Sequence, residues 1–468
     1  LINIHILSKG STYLNRLDKF ESSYLRVAVK VKGMSLNQEQ EQALEFALRG
    51  DSFFLTGPGG TGKSFVIERI QSALEKSGKS VALTALTGCA AVLLGRKAKT
   101  LHSWASIGLG CNPASSYILS IRKSPKSLRR WLMADVLIVD EVSMMTPDLL
   151  EKLDEIAKGI RRSSKTMGGL QVIFVGDFYQ LPPVNKTDEE TVFVFESSHW
   201  TRVVPKTIQL TQIVRQTDPI FQKILQEARM ATLSEESIAI LRSRKGLNWK
   251  SQTIRPTLLF SRKAEVDLVN SVNLKALKGE KKLFKASTVF LPVQATVGID
   301  QKSSEFQNAV QKMDRDSQYV SELTLAVNAQ VMLLINLDTE AGLVNGSRGV
   351  ITGFTAGPNQ VPLVQFKTGS PIPIEEFTWN SDQIEGLQRK QIPLCLAYAV
   401  TIHKAQGATL DSALIDIGQS TFESGQAYVA LSRVRSLDSL YVWDLEVSAF
   451  KTNSNVVAYY SSLVSGSK

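Results

Sequence analysis

At 468 residues the chain is too long for one ordinary hydrophobic core, so two to four domains are expected. Its 43% hydrophobic content can fill such cores, but no apolar run is long enough to cross a bilayer, which argues against a membrane protein. The net charge of +10 favours a polyanionic partner, nucleic acid ahead of an anionic membrane surface.

Residues 1–33 hold a few Lys and Arg, several Ser, and also Asp18 and Glu21. That leaves an organellar presequence open, while the basic-then-apolar pattern of a secretory signal is missing. The chain starts at Leu1 rather than Met, as a fragment or a processed form would. Ser35-Leu-Asn-Gln38 has the form of a capping box, Ser35 paired with Gln38. Leu36, Ala43, Leu44, Ala47 and Leu48 then recur at helical spacing, and Gly50 closes the predicted helix.

Gly57-Pro-Gly-Gly-Thr-Gly-Lys-Ser64 fits the phosphate-loop pattern G-x-x-x-x-G-K-[ST] at every fixed position. A predicted buried strand (51–56) precedes it and a predicted helix from Phe65 follows, the context the motif requires. Gly57, Gly59, Gly60, Thr61 and Gly62 would bring backbone N–H groups onto phosphate oxygens at a helix N-terminus. Lys63 would reach the β- and γ-phosphates of ATP, and the Ser64 hydroxyl would bind Mg²⁺.

Apolar strands predicted at Phe53–Thr56, Val81–Thr84, Val136–Asp140 and Val172–Gly176 alternate with helical stretches. Such alternation implies an α/β fold with a parallel sheet covered on both faces and ligands at the carboxyl ends of its strands. Thr84–Ala91 and Thr100–Ser106 mix small hydroxylated residues with glycine, His102 and Trp104. They can position phosphates and stack on unpaired bases, or they are a strand end and a helix cap with Trp104 in the core. The cluster Arg122–Arg130 holds no acid and suits either a nucleic-acid backbone or a solvated face.

Leu137-Ile-Val-Asp140-Glu141 ends a buried strand in two carboxylates. Asp140 would hold Mg²⁺, and Glu141 would orient or deprotonate the attacking water. Val172–Pro183 ends another strand in Gly-Asp177, with Gln180 three residues on, placed to contact a γ-phosphate. Arg215 and Arg433 are arginine-finger candidates by residue type, planar and always charged, although local sequence alone does not select them.

A second α/β set is expected from Thr257, returning at Leu394–Ile402. Between them, residues 285–392 read as a β-rich insert, with strands at Val331, Gly349 and Val361, and polar residues 300–320 read as a loop. The Ser/Gly-rich end after Ser461 reads as fraying. The cysteines (Cys89, Cys111, Cys395) and the four histidines lie scattered, so neither a disulfide framework nor a zinc site is indicated and a reducing compartment is expected.

Four ordered strings carry a family likeness: Gly176-Asp-Phe-Tyr-Gln-Leu-Pro-Pro-Val, Leu343-Val-Asn-Gly-Ser-Arg-Gly-Val, Thr401-Ile-His-Lys-Ala-Gln-Gly-Ala-Thr-Leu-Asp and Gly425-Gln-Ala-Tyr-Val-Ala-Leu-Ser-Arg-Val-Arg. Over residues 35–447 or so the chain resembles the PIF-type (petite integration frequency) DNA helicases of superfamily one, with RecD-like enzymes as relatives. The resemblance implies two RecA-like P-loop motor domains with parallel sheets. The first would span 34–205, with a wedge insert at 107–132. The second would be formed by 206–284 and 393–450 around a barrel-like insert at 285–392, leaving 1–33 as an extension and 451–468 as a tail.

It implies 5′-to-3′ movement on single-stranded DNA by a monomer using ATP and Mg²⁺, and unwinding at duplex junctions. The setting would be repair, recombination or genome maintenance. It also implies an intracellular site: nucleus or mitochondrion in a eukaryote, cytoplasm in a bacterium or phage. By the same resemblance Gln40 would read the adenine edge, and Arg215 and Arg433 would reach the γ-phosphate from the second motor domain. The single-strand track would be lined around Thr87, Gly88, His102, Ser103, Trp104, Thr401, His403, Lys404 and Gln406. Leu86, Cys89 and Ala405 depart from the usual family residues, which bears on DNA binding and not on ATP chemistry. A clamp that does not unwind and an RNA-directed motor are the competing readings.

Overall fold

The structure, a computed structural model, describes residues 36–465 except 96, 109, 184–190, 251–253, 293–295, 297, 318, 339–340, 342, 358–359, 367–368 and 382. The expected extension (1–33) and Ser35 lie outside the described residues. The first helix, Gln38–Arg49, is capped by Asn37 instead: its side chain accepts from Gln40 N at 2.9 Å while the Gln40 side chain accepts from Asn37 N. The capping box is thus Asn37 with Gln40, two residues beyond the expected pair, and Gly50 ends the helix in the left-handed region as anticipated.

Six parallel strands form the first sheet: β1 (Phe53–Thr56), β2 (Val81–Ala85), β3 (Lys99–Thr100), β4 (Val136–Asp140), β5 (Gln171–Gly176) and β6 (Lys206–Gln209). Their order is β3-β2-β4-β5-β1-β6. The period of two in each strand splits the core. Phe54, Leu137, Val139, Val172 and Phe174 face Trp200, Leu150 and Leu153. Phe53, Leu55, Val136, Ile138, Ile173 and Val175 face Val66, Ile67 and Ile70 of the helix Lys63–Lys76. Both faces are apolar because helices cover both. The domain boundary expected at 205–206 shifts, because β6 pairs in parallel with β1 and completes this sheet.

A second parallel sheet has the order Ala399–Thr401, Thr257–Phe260, Ala413–Ile417, Leu440–Leu445. The return to it is at Ala399. Leu394–Leu396, expected to begin it, pairs antiparallel with Gln330–Leu333 in the insert. There the three strands read from sequence lie side by side in one antiparallel sheet. Residues 300–320 are not simply a loop, since Ser304–Asp316 is a helix burying Phe306, Ala309 and Met313 against Ile384 and Leu387. That apolar stripe, with Val310 at its edge, is short in a polar run. Among the described residues no helix is long and apolar enough to cross a membrane.

The expected tail is also corrected. Ser454–Ser465 is a helix that returns from the second sheet to the first and buries Val456 and Tyr460 in the first core. The Tyr460 hydroxyl lies 2.6 Å from Thr56 Oγ1 and accepts from Phe178 N at 3.2 Å. Beside it the fully buried Asp177 accepts two bonds from Arg229, at 3.0 and 2.7 Å. Arg229 sits on the helix Pro219–Met230 of the second core, so this ion pair joins the two lobes. Its guanidinium lies 4.1 Å from the Tyr179 ring centre and 5.2 Å from that of Tyr460. Replacing Arg229 with Met strands the Asp177 carboxylate, so chemical denaturation is expected to show a loss of about 3–5 kcal/mol. A stability equal to wild type would contradict the pairing.

Candidate active site

The phosphate loop links β1 to the helix Lys63–Lys76. Gly57, Gly60 and Gly62 take positive φ values of 150°, 91° and 86°, which side chains rarely adopt. Lys63 Nζ donates to the carbonyls of Gly57 and Pro58 at 2.7 and 3.1 Å. Burial lowers its pKa, against the attraction of Asp177, Glu141 and Asp140. Thr61 is buried, and its hydroxyl donates to Pro58 O at 2.9 Å. Ser64 is exposed in the first helical turn. Gln40, also buried, has its Nε2 at 3.4 Å from Thr61 O, which sets it beside the loop.

Asp140 and Glu141 end β4 close to this lysine. Burial, then repulsion from Glu141, pushes the Asp140 carboxyl up to about 7, opposed by the Glu141 N–H and by Lys63. Glu141 is held in the left-handed region (φ 57°), an uncommon state for this residue that marks a constrained position. The Gln180 backbone is packed by the start of the helix Gln426–Leu431: a Cβ at Gly425 would meet Tyr179 O at 2.4 Å and Gln180 O at 2.7 Å.

The structure brings Arg215 and Arg433 together with these groups. The Arg215 and Val214 N–H groups both donate to Gly60 O, at 3.0 and 2.8 Å. Arg215 is therefore fixed to the phosphate loop by its backbone, and only its side chain reaches towards the other lobe, to Ser432 O at 3.3 Å. Its expected origin in the second motor domain is corrected on this point, because the segment follows directly from β6. Arg433 is buried and donates to Val429 O, Ala405 O, Ala408 O and Ser432 Oγ. Burial and then Arg215 lower its pKa to about 10, while Glu141 and Tyr428 oppose the shift. Two guanidiniums that repel each other, bonded to oxygens other than carboxylates, create a demand for an anion at this point.

Local sequence did not single out Tyr428. It is buried on the helix Gln426–Leu431, and its hydroxyl accepts from Gly59 N at 2.7 Å. Its spacing of four from Ser432, which also backs Gly59, was the available signal. Gln216 was missed too; its Nε2 donates to Val434 O at 3.0 Å, across the same junction.

The residues expected on the nucleic-acid track divide. Thr87 and Thr401 each cap a short helix, with hydroxyls accepting from Ala90 N and Lys404 N. Gly88 opens the first of these helices, and Lys404 is exposed. Burial lowers the pKa of both His102 and His403, with the charge of Lys312 adding to the effect at His102. Ser103 accepts at its carbonyl from Arg130 at 3.0 Å. Trp104 is no stacking platform: it is buried, its ring centre 4.6 Å from that of Trp131, because the helix Leu101–Ala105 turns it inward. Gln406 is also buried, and its Nε2 donates to Glu141 Oε2 at 2.9 Å, which moves it from the track to the cleft.

Comparison with known proteins gives the family of the chain. The family described as PIF1-like helicase matches residues 35–246, and the DNA helicase Pif1 2B domain matches 306–354. The ATP-dependent DNA helicase PIF1 of Danio rerio is 39% identical over 93% of this chain and 65% of its own length. The chain thus spans just under two thirds of this relative, and 64% of the Homo sapiens protein of the same name. The crystal structure of Pif1 helicase from Candida albicans aligns with a TM-score of 0.76 at 34% identity, covering 92% of this chain and 100% of that one. Pif1 helicase from Bacteroides in complex with ADP-AlF3 and ssDNA aligns at 0.67 with 28% identity, covering 93% and 98%. From this likeness along nearly its whole length, the chain belongs to the PIF1-like helicase family.

Proposed function

We propose that the protein is an ATP-dependent DNA helicase that moves 5′-to-3′ on single-stranded DNA as a single chain and unwinds duplex it meets. The observation that carries this reading is the convergence of Lys63, Glu141, Arg215 and Arg433 on one cleft between two parallel-sheet lobes. The names of the relatives and the ADP-AlF3 and ssDNA complex of the Bacteroides protein support it. The direction and a role in repair, recombination or genome maintenance rest on family likeness. The motor lobes would divide between Arg215, which is bonded to the phosphate loop, and the helix Pro219–Met230 of the second core, with a wedge at 107–132 and the β-rich insert beside the DNA.

The residues fit a Mg²⁺ ion bound together with its substrate. Ser64 offers a hydroxyl, and the buried Asp140 carboxylate lacks a cationic partner strong enough to offset burial. No cluster of three or more His, Cys, Asp or Glu able to hold a metal exists among the described residues, as suits an ion held mainly by substrate phosphates. Such an ion neutralises charge on the phosphate chain. Lys63 would bind the β- and γ-phosphates, Gln40 the adenine edge, and Gln180 the γ-phosphate. Glu141 would accept the proton of the attacking water. Arg215 and Arg433 would stabilise the charge that develops at the γ-phosphoryl group. Loss of that group would remove what draws the Arg433-bearing segment of the second lobe towards the phosphate loop, and the lobes would relax.

Strand displacement with 5′- and 3′-tailed duplexes tests this proposal. ATP-dependent displacement only from the 5′-tailed substrate is expected. ATPase activity without displacement would indicate a clamp, and displacement confined to tailed RNA would indicate an RNA motor. Affinity for single-stranded DNA should fall by about 10³–10⁵ from about 50 to about 200 mM salt if several phosphates are contacted. Salt-insensitive binding would contradict a phosphate-tracking groove.

A further inference from the structure

Gln406 was expected on the nucleic-acid track, yet it is only 4% exposed. It lies two residues beyond the exposed Lys404, on the loop that leaves the short helix Ile402–Ala405. Its Nε2 donates to Glu141 Oε2 at 2.9 Å, across the two lobes. A carboxylate only accepts, so this bond fixes the amide orientation and turns Oε1 the other way. Oε1 is buried and has no hydrogen-bond partner. An unpaired buried carbonyl is costly, and an orphan beside a reacting group is better explained by a ligand than by packing. The next residue, Gly407, takes φ 79° and packs the loop onto Glu141: a Cβ there would meet Leu93 Cδ1 at 2.9 Å and Glu141 Oε1 at 3.6 Å. Leu93 belongs to the helix that Thr87 caps. One short helix with its flanks therefore carries Thr401, His403 and Lys404 and, at its C-terminal end, the loop that touches the carboxylate.

We propose that Gln406 is a further catalytic residue for hydrolysis: its amide N–H₂ holds the Glu141 carboxylate, and its unpaired carbonyl oxygen accepts a hydrogen bond from the attacking water, whose bonded hydrogen stays on the water oxygen. Glu141 takes the water's other proton as the water oxygen bonds to the γ-phosphorus. The bond to the β-bridging oxygen then breaks, and ADP leaves with the electron pair. Because the amide follows a short helix that presents the exposed Lys404, DNA bound there would order this segment and set Gln406 against Glu141. ATP cleavage is thereby made to depend on DNA at a single residue.

The inference rests on reading the cleft as an ATP site, and the test separates the two. ATPase rates of the full chain are measured with and without saturating oligo-dT, together with KM for ATP and the oligo-dT Kd by fluorescence anisotropy. Gln406→Ala is expected to lower the DNA-stimulated kcat by about tenfold or more, the range of an oriented acid–base group. KM and the oligo-dT Kd should stay within about threefold of wild type, the signature of an interaction realised in the transition state. Gln406→Glu keeps the volume and sets a like charge against Glu141, so it should show the same loss and serves should the alanine variant fold poorly. Two results would overturn the proposal: either variant retaining the wild-type stimulated kcat, or weakened oligo-dT binding with kcat restored at saturation, as a simple DNA ligand would give. A wild-type protein that hydrolyses no ATP would sink the cleft assignment itself.

Discussion

Lys63→Ala is expected to abolish the proposed ATP hydrolysis and to leave the chain folded. The ammonium sits inside the phosphate loop, where among the described residues it donates to the carbonyls of Gly57 and Pro58. Burial disfavours its charge in the fold, so removing it relieves a desolvation cost while it loses two hydrogen bonds. The loop keeps its shape through other ties: Thr61 Oγ1 to Pro58 O, Gly59 N to Tyr428, and the Val214 and Arg215 N–H groups on Gly60 O. Without the lysine no side-chain cation of the loop itself is left to meet the β- and γ-phosphates. Phosphate release should drop to background, while the melting temperature stays within a few degrees of wild type. Normal turnover in the folded variant would refute the site assignment.

Arg433→Ala is expected to lower kcat by about 10³–10⁵, the range for a guanidinium that neutralises charge in the transition state. Here the effect on the fold must be separated from the effect on chemistry. Arg433 also ties Ala405 O and Ala408 O to Val429 O, so alanine loosens the loop that carries Gln406. Arg433→Lys retains a cation but cannot reproduce the fork, and it should recover nucleotide affinity without recovering kcat. Single-turnover rates and a fluorescent-ADP titration on both variants distinguish the cases. An intact kcat with only weakened nucleotide binding would assign Arg433 a binding role alone.

The loop glycines, Lys63, Asp140, Glu141 and the strands β1, β2, β4 and β5 were legible in the sequence for one reason. Each signal is local: a fixed spacing within eight residues, or an apolar run ending in acids. The insert's strands were readable for the same reason, while Ser304–Asp316 was hidden because its stripe of Phe306, Ala309 and Met313 is thin among polar residues. Trp104 could be read either as a platform or as core, and only the turn of its helix against Trp131 decided between them. The helix Ser454–Ser465 shows the same limit, since what holds it is Tyr460 against Thr56 and Asp177 in the other lobe.

The turns of the loop 57–64 and the parallel strands around it could thus be read from the chain alone, since backbone turns and strand periodicity are properties of neighbouring residues. The tertiary structure alone decided which distant groups complete the cleft. Gln406 meets Glu141 across 265 residues, Tyr428 meets Gly59 across 369, and Arg229 meets Asp177 across 52. No local pattern encodes such pairs, because hydrogen bonds and buried charges act over a few ångströms of space, whatever length of chain separates their partners.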